Sequence, residues 1–214
     1  MDKSLEKPIR HPSSWTISGC SQAGKTYYTK EIIRNISRVY NAEFKNIVIY
    51  YTEDQPCYSE IQQLDSRVQL VANQNYSPPS NSLLIFDDQM NENMRDKKFS
   101  DLFTKKIHHR NISVIILTQN LFPKGQFARD VRLSTHYITI FKSPLFKSQV
   151  MHLGRQLYPE FPKFLYDAYK QATESCYGNL FLDLHPATSD ELRVWSGVLP
   201  HEKNPIVYRP TGSI

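Results

Sequence analysis

The sequence predicts an α/β domain built around a mainly parallel sheet. Short apolar runs alternate along it with segments of helical periodicity, the pattern of strands joined by crossover helices. One run, Ile112-Ser-Val-Ile-Ile-Leu-Thr118, is nearly continuous in aliphatic and β-branched residues, as a central parallel strand requires. At 214 residues the chain fits one such domain with a sizeable core better than two small ones.

Taken in order, Trp15-Thr-Ile-Ser18 reads as a first strand entering a glycine loop. After Lys25, the residues Tyr28, Ile32, Ile33 and Ile36 recur at helical spacing, so the loop opens a helix. Phe44–Tyr51 is a second strand and Val68–Val71 a shorter third. Ser77-Pro-Pro-Ser80 punctuates the chain before Ser82-Leu-Leu-Ile-Phe86, a buried strand. A mixed helical stretch from Asn91 to His108 leads into Ile112–Thr118. His136–Phe141 is a further strand, followed by helical patterns over Ser148–Leu157 and Pro162–Thr173. Asn179–Leu184 and Leu192–Trp195 are late strands. These elements imply an N-terminal extension over 1–14, one domain over 15–199, and a poorly ordered tail over 200–214, where prolines accumulate. There is no internal repeat and no low-complexity segment.

Composition removes several classes. No apolar run approaches the length of a membrane span, and the N-terminal residues lack the apolar core of a secretory signal. Cys20, Cys57 and Cys176 are odd in number and far apart, giving neither a disulfide framework nor metal spacing. A reducing setting is expected, with no membrane partner. The formal charge of +5 is compatible with a nucleic-acid partner without pointing strongly to one.

The chain has only seven glycines, and two stand in Gly19-Cys20-Ser21-Gln22-Ala23-Gly24-Lys25-Thr26, a full match to G-x-x-x-x-G-K-[ST]. That pattern makes a loop whose backbone N–H groups surround a phosphate chain. Its lysine reaches the β/γ-phosphates and its threonine hydroxyl joins the shell of a Mg²⁺ ion. Leu83-Leu-Ile-Phe86 ends in Asp87-Asp88, two acids that emerge at the strand's C-terminal edge, where open α/β sheets bind ligands. One acid there holds Mg²⁺ through its water shell, and its neighbour orients and deprotonates an attacking water. Aspartates also simply end strands, so the pair gains its meaning from the upstream loop. The next strand exits through Gln119, placed to touch a γ-phosphate or the lytic water, though a polar strand exit is common. His108-His109 carries no metal reading, because adjacent side chains point apart and no further ligand accompanies them; a helix cap or a subunit contact is expected.

The stretches GCSQAGKT, LLIFDD, HHRNISVIILTQNLF and ARDVRLSTHYITIFKSP together resemble the FtsK–HerA superfamily of P-loop ATPases. The resemblance is to the superfamily's viral branch, the genome-packaging ATPases of nucleocytoplasmic large DNA viruses, virophages and Maverick/Polinton elements. It runs from about Trp15 to Asp190, and His108–Phe122 is its most specific part. It implies a P-loop NTPase three-layer sandwich of the RecA/ASCE type. It also implies ATP and Mg²⁺ as cofactors, Lys25 on the phosphates, Thr26 and Asp87 at the metal, and Gln119 as the sensor. Asp88 falls where such motors usually carry a glutamate, a departure that shifts the lytic water slightly. Arg129 and Arg132 lie in the segment from which an arginine finger reaches a neighbouring subunit. The partners implied are double-stranded DNA, contacted through its phosphates without sequence preference, other copies in a homo-oligomeric ring, and a capsid or portal component. The implied setting is a virion or the site of viral assembly in a host cell.

Three alternatives stand beside the motor that fills a preformed capsid. One is a cellular or plasmid DNA translocase of the same superfamily, many of which carry a membrane anchor before the ATPase core. Another is a nucleotide kinase, which normally carries an arginine-rich lid that is not seen between these strands. The last is a nucleotide switch without hydrolysis, against which Asp88 and Gln119 argue.

Overall fold

The computed structural model describes residues 9–72, 78–87, 96–202 and 205–210, except the side chains of Thr104 and His108. Their strands form one nine-stranded sheet in the order β3-β2-β4-β5-β1-β6-β7-β8-β9. The first six in that order are parallel: β3 (Val68–Val71), β2 (Asn46–Tyr50), β4 (Ser82–Asp87), β5 (Ile112–Thr118), β1 (Ser14–Ser18) and β6 (Tyr137–Phe141). β7 (Asn179–Asp183), β8 (Val194–Ser196) and β9 (Ile206–Tyr208) add antiparallel pairs at one side.

Side chains alternate across this sheet and so divide the core in two layers. Leu83 and Ile85 of β4 pack with Ile115 and Leu117 of β5 on one face. There they meet α1 (Lys25–Arg34), α2 (Ile36–Val39) and α3 (Pro56–Leu64) through Tyr28, Ile32, Ile33, Val39, Tyr58 and Ile61. Leu84 and Phe86 face the other way, with Val114 and Ile116, onto Phe99, Leu102, Phe103 and Ile107. Those residues belong to α4 (Lys97–Asp101), a π-helical segment (Leu102–Lys106) and α5 (Ile107–His109). α6 (Ala128–Leu133) adds Val131 to this face. On the same side, α7 (Lys147–Leu157) and α8 (Phe164–Ala172) cover Ile138, Ile140, Leu180 and Leu182. The result is the three-layer α/β sandwich that the sequence predicts.

β1 sits at the topological switch point. Its neighbours are β5 on one flank and β6 on the other, with β4 one strand further out. Ser18 pairs in register with Thr118, and Asp87 with Leu117, so three strand ends arrive at one edge of the sheet. Trp15 fixes β1 against β6 through an indole N–H that donates to Thr139 Oγ1 at 2.9 Å.

Three elements differ from the sequence reading. α3 and α6 were not expected as helices, and β9 lies in the stretch expected as a loose tail. Tyr208 of β9 is buried and its hydroxyl lies 3.1 Å from Ser196 Oγ. Leu199 is buried as well, and its N–H donates to Glu202 Oε2 at 2.7 Å.

Candidate functional site

The glycine loop leaves β1 and turns directly into α1. The two glycines serve different needs. Gly24 takes the left-handed backbone conformation, φ +97°, just before the first helical residue. A Cβ on Gly19 would stand 2.8 Å from Phe141 Cβ, so its absence lets the loop lie flat on β6. The Gly19 N–H donates to the Thr118 carbonyl at 3.0 Å and ties the loop to the end of β5. Lys25 Nζ donates to the carbonyls of Gly19 and Cys20 at 2.8 and 2.9 Å, which keeps the ammonium over the loop's concave side. No side chain caps the N-terminus of α1. Its first N–H groups and the positive end of the helix dipole make a site for anions.

A cavity of about 800 Å³ opens above this loop. Of the residues singled out in the sequence, Ser21, Gln22, Gly24, Lys25, Thr26, Asp87 and Gln119 line it together. Gly19, Cys20 and Ala23 form the underside of the loop instead. Ala23 packs on the core, and Cys20 Sγ lies 3.6 Å from the Lys142 carbonyl oxygen. Asp87 is 5% exposed at the end of β4 and accepts a hydrogen bond from the Tyr58 hydroxyl at 2.7 Å. Thr26 Oγ1 and Gln55 Oε1 approach to 3.5 Å. Gln119 is exposed where β5 ends, and the chain beyond it is shaped by Asn120, whose N–H donates to Thr118 Oγ1. Asp88 lies outside the described residues.

Arg129 and Arg132 are exposed on α6, and neither lines this cavity. The Arg132 guanidinium lies over the Phe122 ring, 5.6 Å from its centroid, beside a separate groove. His109 is exposed at the end of α5, and the described residues contain no cluster of metal-binding side chains.

The sequence reading missed half of the lining: Tyr27, Tyr28, Gln55, Phe141, Tyr177, Asn179, His201 and Glu202. Tyr28 is buried, edge-on to Trp15 and Phe141. Burial, with the Glu202 charge adding to it, raises its hydroxyl well above the usual phenol range, so it is neutral. Cys176-Tyr177-Gly178 before a strand is an ordinary turn signal, and only its arrival at the loop edge gives it meaning. Gln55 carries no signal beyond preceding Pro56, the first residue of α3.

The geometry thus places the glycine loop at the switch point of a mainly parallel sheet, with β5 inserted between the loop strand and the acid-bearing strand. No protein-family model matches the sequence, and no curated protein sequence matches it either. Solved structures share the fold. B204, the DNA-packaging ATPase from Sulfolobus turreted icosahedral virus, superposes with a TM-score of 0.55 at 12% identity, over 95% of this chain and 100% of that one. The genome packaging NTPase B204 from Sulfolobus turreted icosahedral virus 2, in complex with ATP-gammaS, gives 0.53 at 12% identity, over 93% and 98%. The same protein in complex with sulfate gives 0.52 at 11%, over 94% and 98%. The chain has the α/β fold of these P-loop ATPases along nearly their whole length.

Proposed function

We propose that the chain is a Mg²⁺-dependent ATPase motor that moves double-stranded DNA, of the kind that packages a viral genome into a preformed capsid. The observation that carries the reading is the cavity itself. It joins a complete phosphate loop at a helix N-terminus to a buried carboxylate and a glutamine on the two strand ends beside it. The sequence resemblance to packaging ATPases and the shared fold with a DNA-packaging ATPase support the substrate.

In this reading, the loop N–H groups and Lys25 bind the triphosphate. Thr26 and Asp87 would hold Mg²⁺, and their hydroxyl and carboxylate oxygens are the hard donors that this ion takes alongside phosphate. When bound, the ion neutralises charge on the β- and γ-phosphates. Tyr58 orients the Asp87 carboxylate from behind. Asp88 accepts the proton of the attacking water, and Gln119 positions that water or senses the γ-phosphate. Arg129 or Arg132 completes the charge from a neighbouring protomer in a ring, with a capsid or portal component as a further partner. Contacts to DNA go to its phosphates.

ATP hydrolysis measured with and without long duplex DNA tests the proposal. Stimulation is expected to be independent of sequence and to weaken steeply with salt, because neutralised phosphates release counterions. Stimulation by a nucleoside monophosphate and none by duplex DNA would replace the motor with a kinase.

A further inference from the structure

We infer that Tyr177 is the nucleobase platform of this cavity and holds a purine by its face, with little reading of its edge. The inference rests on the nucleotide-binding reading above.

The sheet order decides which way a nucleoside leaves the loop. Asp87 and Gln119 come from β4 and β5, on one flank of β1, and Gln55 stands on their side of Thr26. The cavity continues on the other flank, past Phe141 at the end of β6, to Tyr177, Asn179, His201 and Glu202. Because β7 runs antiparallel to β6, its first residue, Asn179, and the turn before it lie at the loop edge of the sheet. With phosphates on the loop and the hydrolytic groups on one side, the ribose and base have this second side to occupy.

Tyr177 is built for that position in two respects. Its backbone is left-handed, φ +61°, a conformation bulky side chains avoid, while the ring is 66% exposed. Burial of the ring therefore does not account for the strained backbone. The ring also stands directly over the loop, since a Cβ on Gly24 would lie 3.0 Å from Tyr177 Cδ1. The next residue, Gly178, is pressed so close to the Ala172 carbonyl that a Cβ would sit 2.4 Å from it, which holds the turn in place. An aromatic face fixed beside the phosphate loop is a stacking surface for a base.

The carboxylate nearby is engaged within the protein on both of its oxygens. Glu202 accepts one hydrogen bond from the Leu199 N–H at 2.7 Å and another from Asn179 Nδ2 at 2.9 Å. His201 Nδ1 faces Glu31 Oε2 at 3.7 Å. Edge readout needs donors and acceptors aimed at the base, whereas stacking accepts any base and favours the larger rings. The site accordingly takes ATP and GTP alike and pyrimidine nucleotides less well.

Calorimetry of the full chain with Mg²⁺ and ATP, GTP, CTP or inorganic tripolyphosphate tests this. ATP and GTP are expected to bind within about threefold of each other and CTP about tenfold more weakly. Tyr177→Asn removes the ring and keeps a residue that tolerates the left-handed backbone. It should weaken ATP and GTP about tenfold, erase the advantage over CTP and leave tripolyphosphate unchanged, while Tyr177→Phe restores purine binding. A preference of ATP over GTP beyond roughly thirtyfold would overturn the inference, since edge readout is then needed. So would unchanged ATP binding by Tyr177→Asn, or an equal loss of tripolyphosphate, which would make the ring a prop for the loop. If Lys25→Ala binds ATP and tripolyphosphate as the parent does, the nucleotide reading fails and takes the inference with it.

Discussion

In the proposed function Asp87 and Asp88, adjacent in sequence, divide one task between them, and a pair of substitutions separates their parts. Asp88→Asn keeps the side-chain shape and removes the base. Retained Mg²⁺-ATP binding is expected, with turnover lowered by roughly two to four orders of magnitude. Tyr58→Phe removes the hydroxyl that holds Asp87 at 2.7 Å while its ring stays packed beside Tyr51. The expected outcome is a Mg²⁺ requirement raised about tenfold with a smaller effect on saturated turnover. Magnesium titrations of both variants check this, and unchanged turnover in the first would leave the water without its base. Legibility at this scale followed the range of the constraint. Gly24 must be glycine for its own φ, and Lys25-Thr26 must follow it, so the loop announces itself in eight consecutive letters. Tyr58, Gln55 and Tyr177 are recruited by packing from distant segments, and no local pattern marks them.

Among the elements, those buried on both faces were the plainest to read. All seven residues of β5 and all six of β4 are buried, and a short apolar run bounded by polar residues is the mark of a strand covered on both sides. α3 was hidden because only Tyr58 and Ile61 are buried along its nine residues. α6 was hidden for the same reason, with Val131 its sole buried residue. β9 is three residues long and follows prolines, a composition that suits a tail as well as an edge strand. Its contribution can be measured. Removing residues 203–214 would take β9 away from β8, leaving β8 paired only with β7, and would uncover Trp195, which is buried and edge-on to Phe181. Thermal unfolding of the shortened chain is expected several degrees lower, at about 2–4 °C for each kcal/mol lost in a chain of this size. An unchanged Tm would return the segment to the status of a loose tail.

For the molecule as a whole, the placement of α6 makes the test of assembly sharper than the sequence alone allowed. Phosphoryl transfer draws about 10³–10⁵ in rate from an arginine finger. Arg129 and Arg132 are exposed and lie outside the cavity of their own chain, so such a finger would serve a neighbour's site. Activity per subunit is expected to rise with protein concentration. Arg129→Ala or Arg132→Ala should keep ATP binding and lose turnover, and mixing either with Lys25→Ala protein should restore part of it. Activity that stays flat from dilute to concentrated protein, with no rescue in mixtures, would describe a self-sufficient monomer. The way the loop is seated bears on the proposed motor as well. Phe141 leaves no room for a side chain on Gly19, the Tyr177 ring stands over Gly24, and the Lys25 ammonium donates to two carbonyls of the loop itself. On the proposed function, a loop seated this way is the anvil of the motor, and its lever lies elsewhere. In that reading a stroke driven by the γ-phosphate would belong to the opposite flank, where β5 ends in an exposed glutamine and the chain runs on to α6.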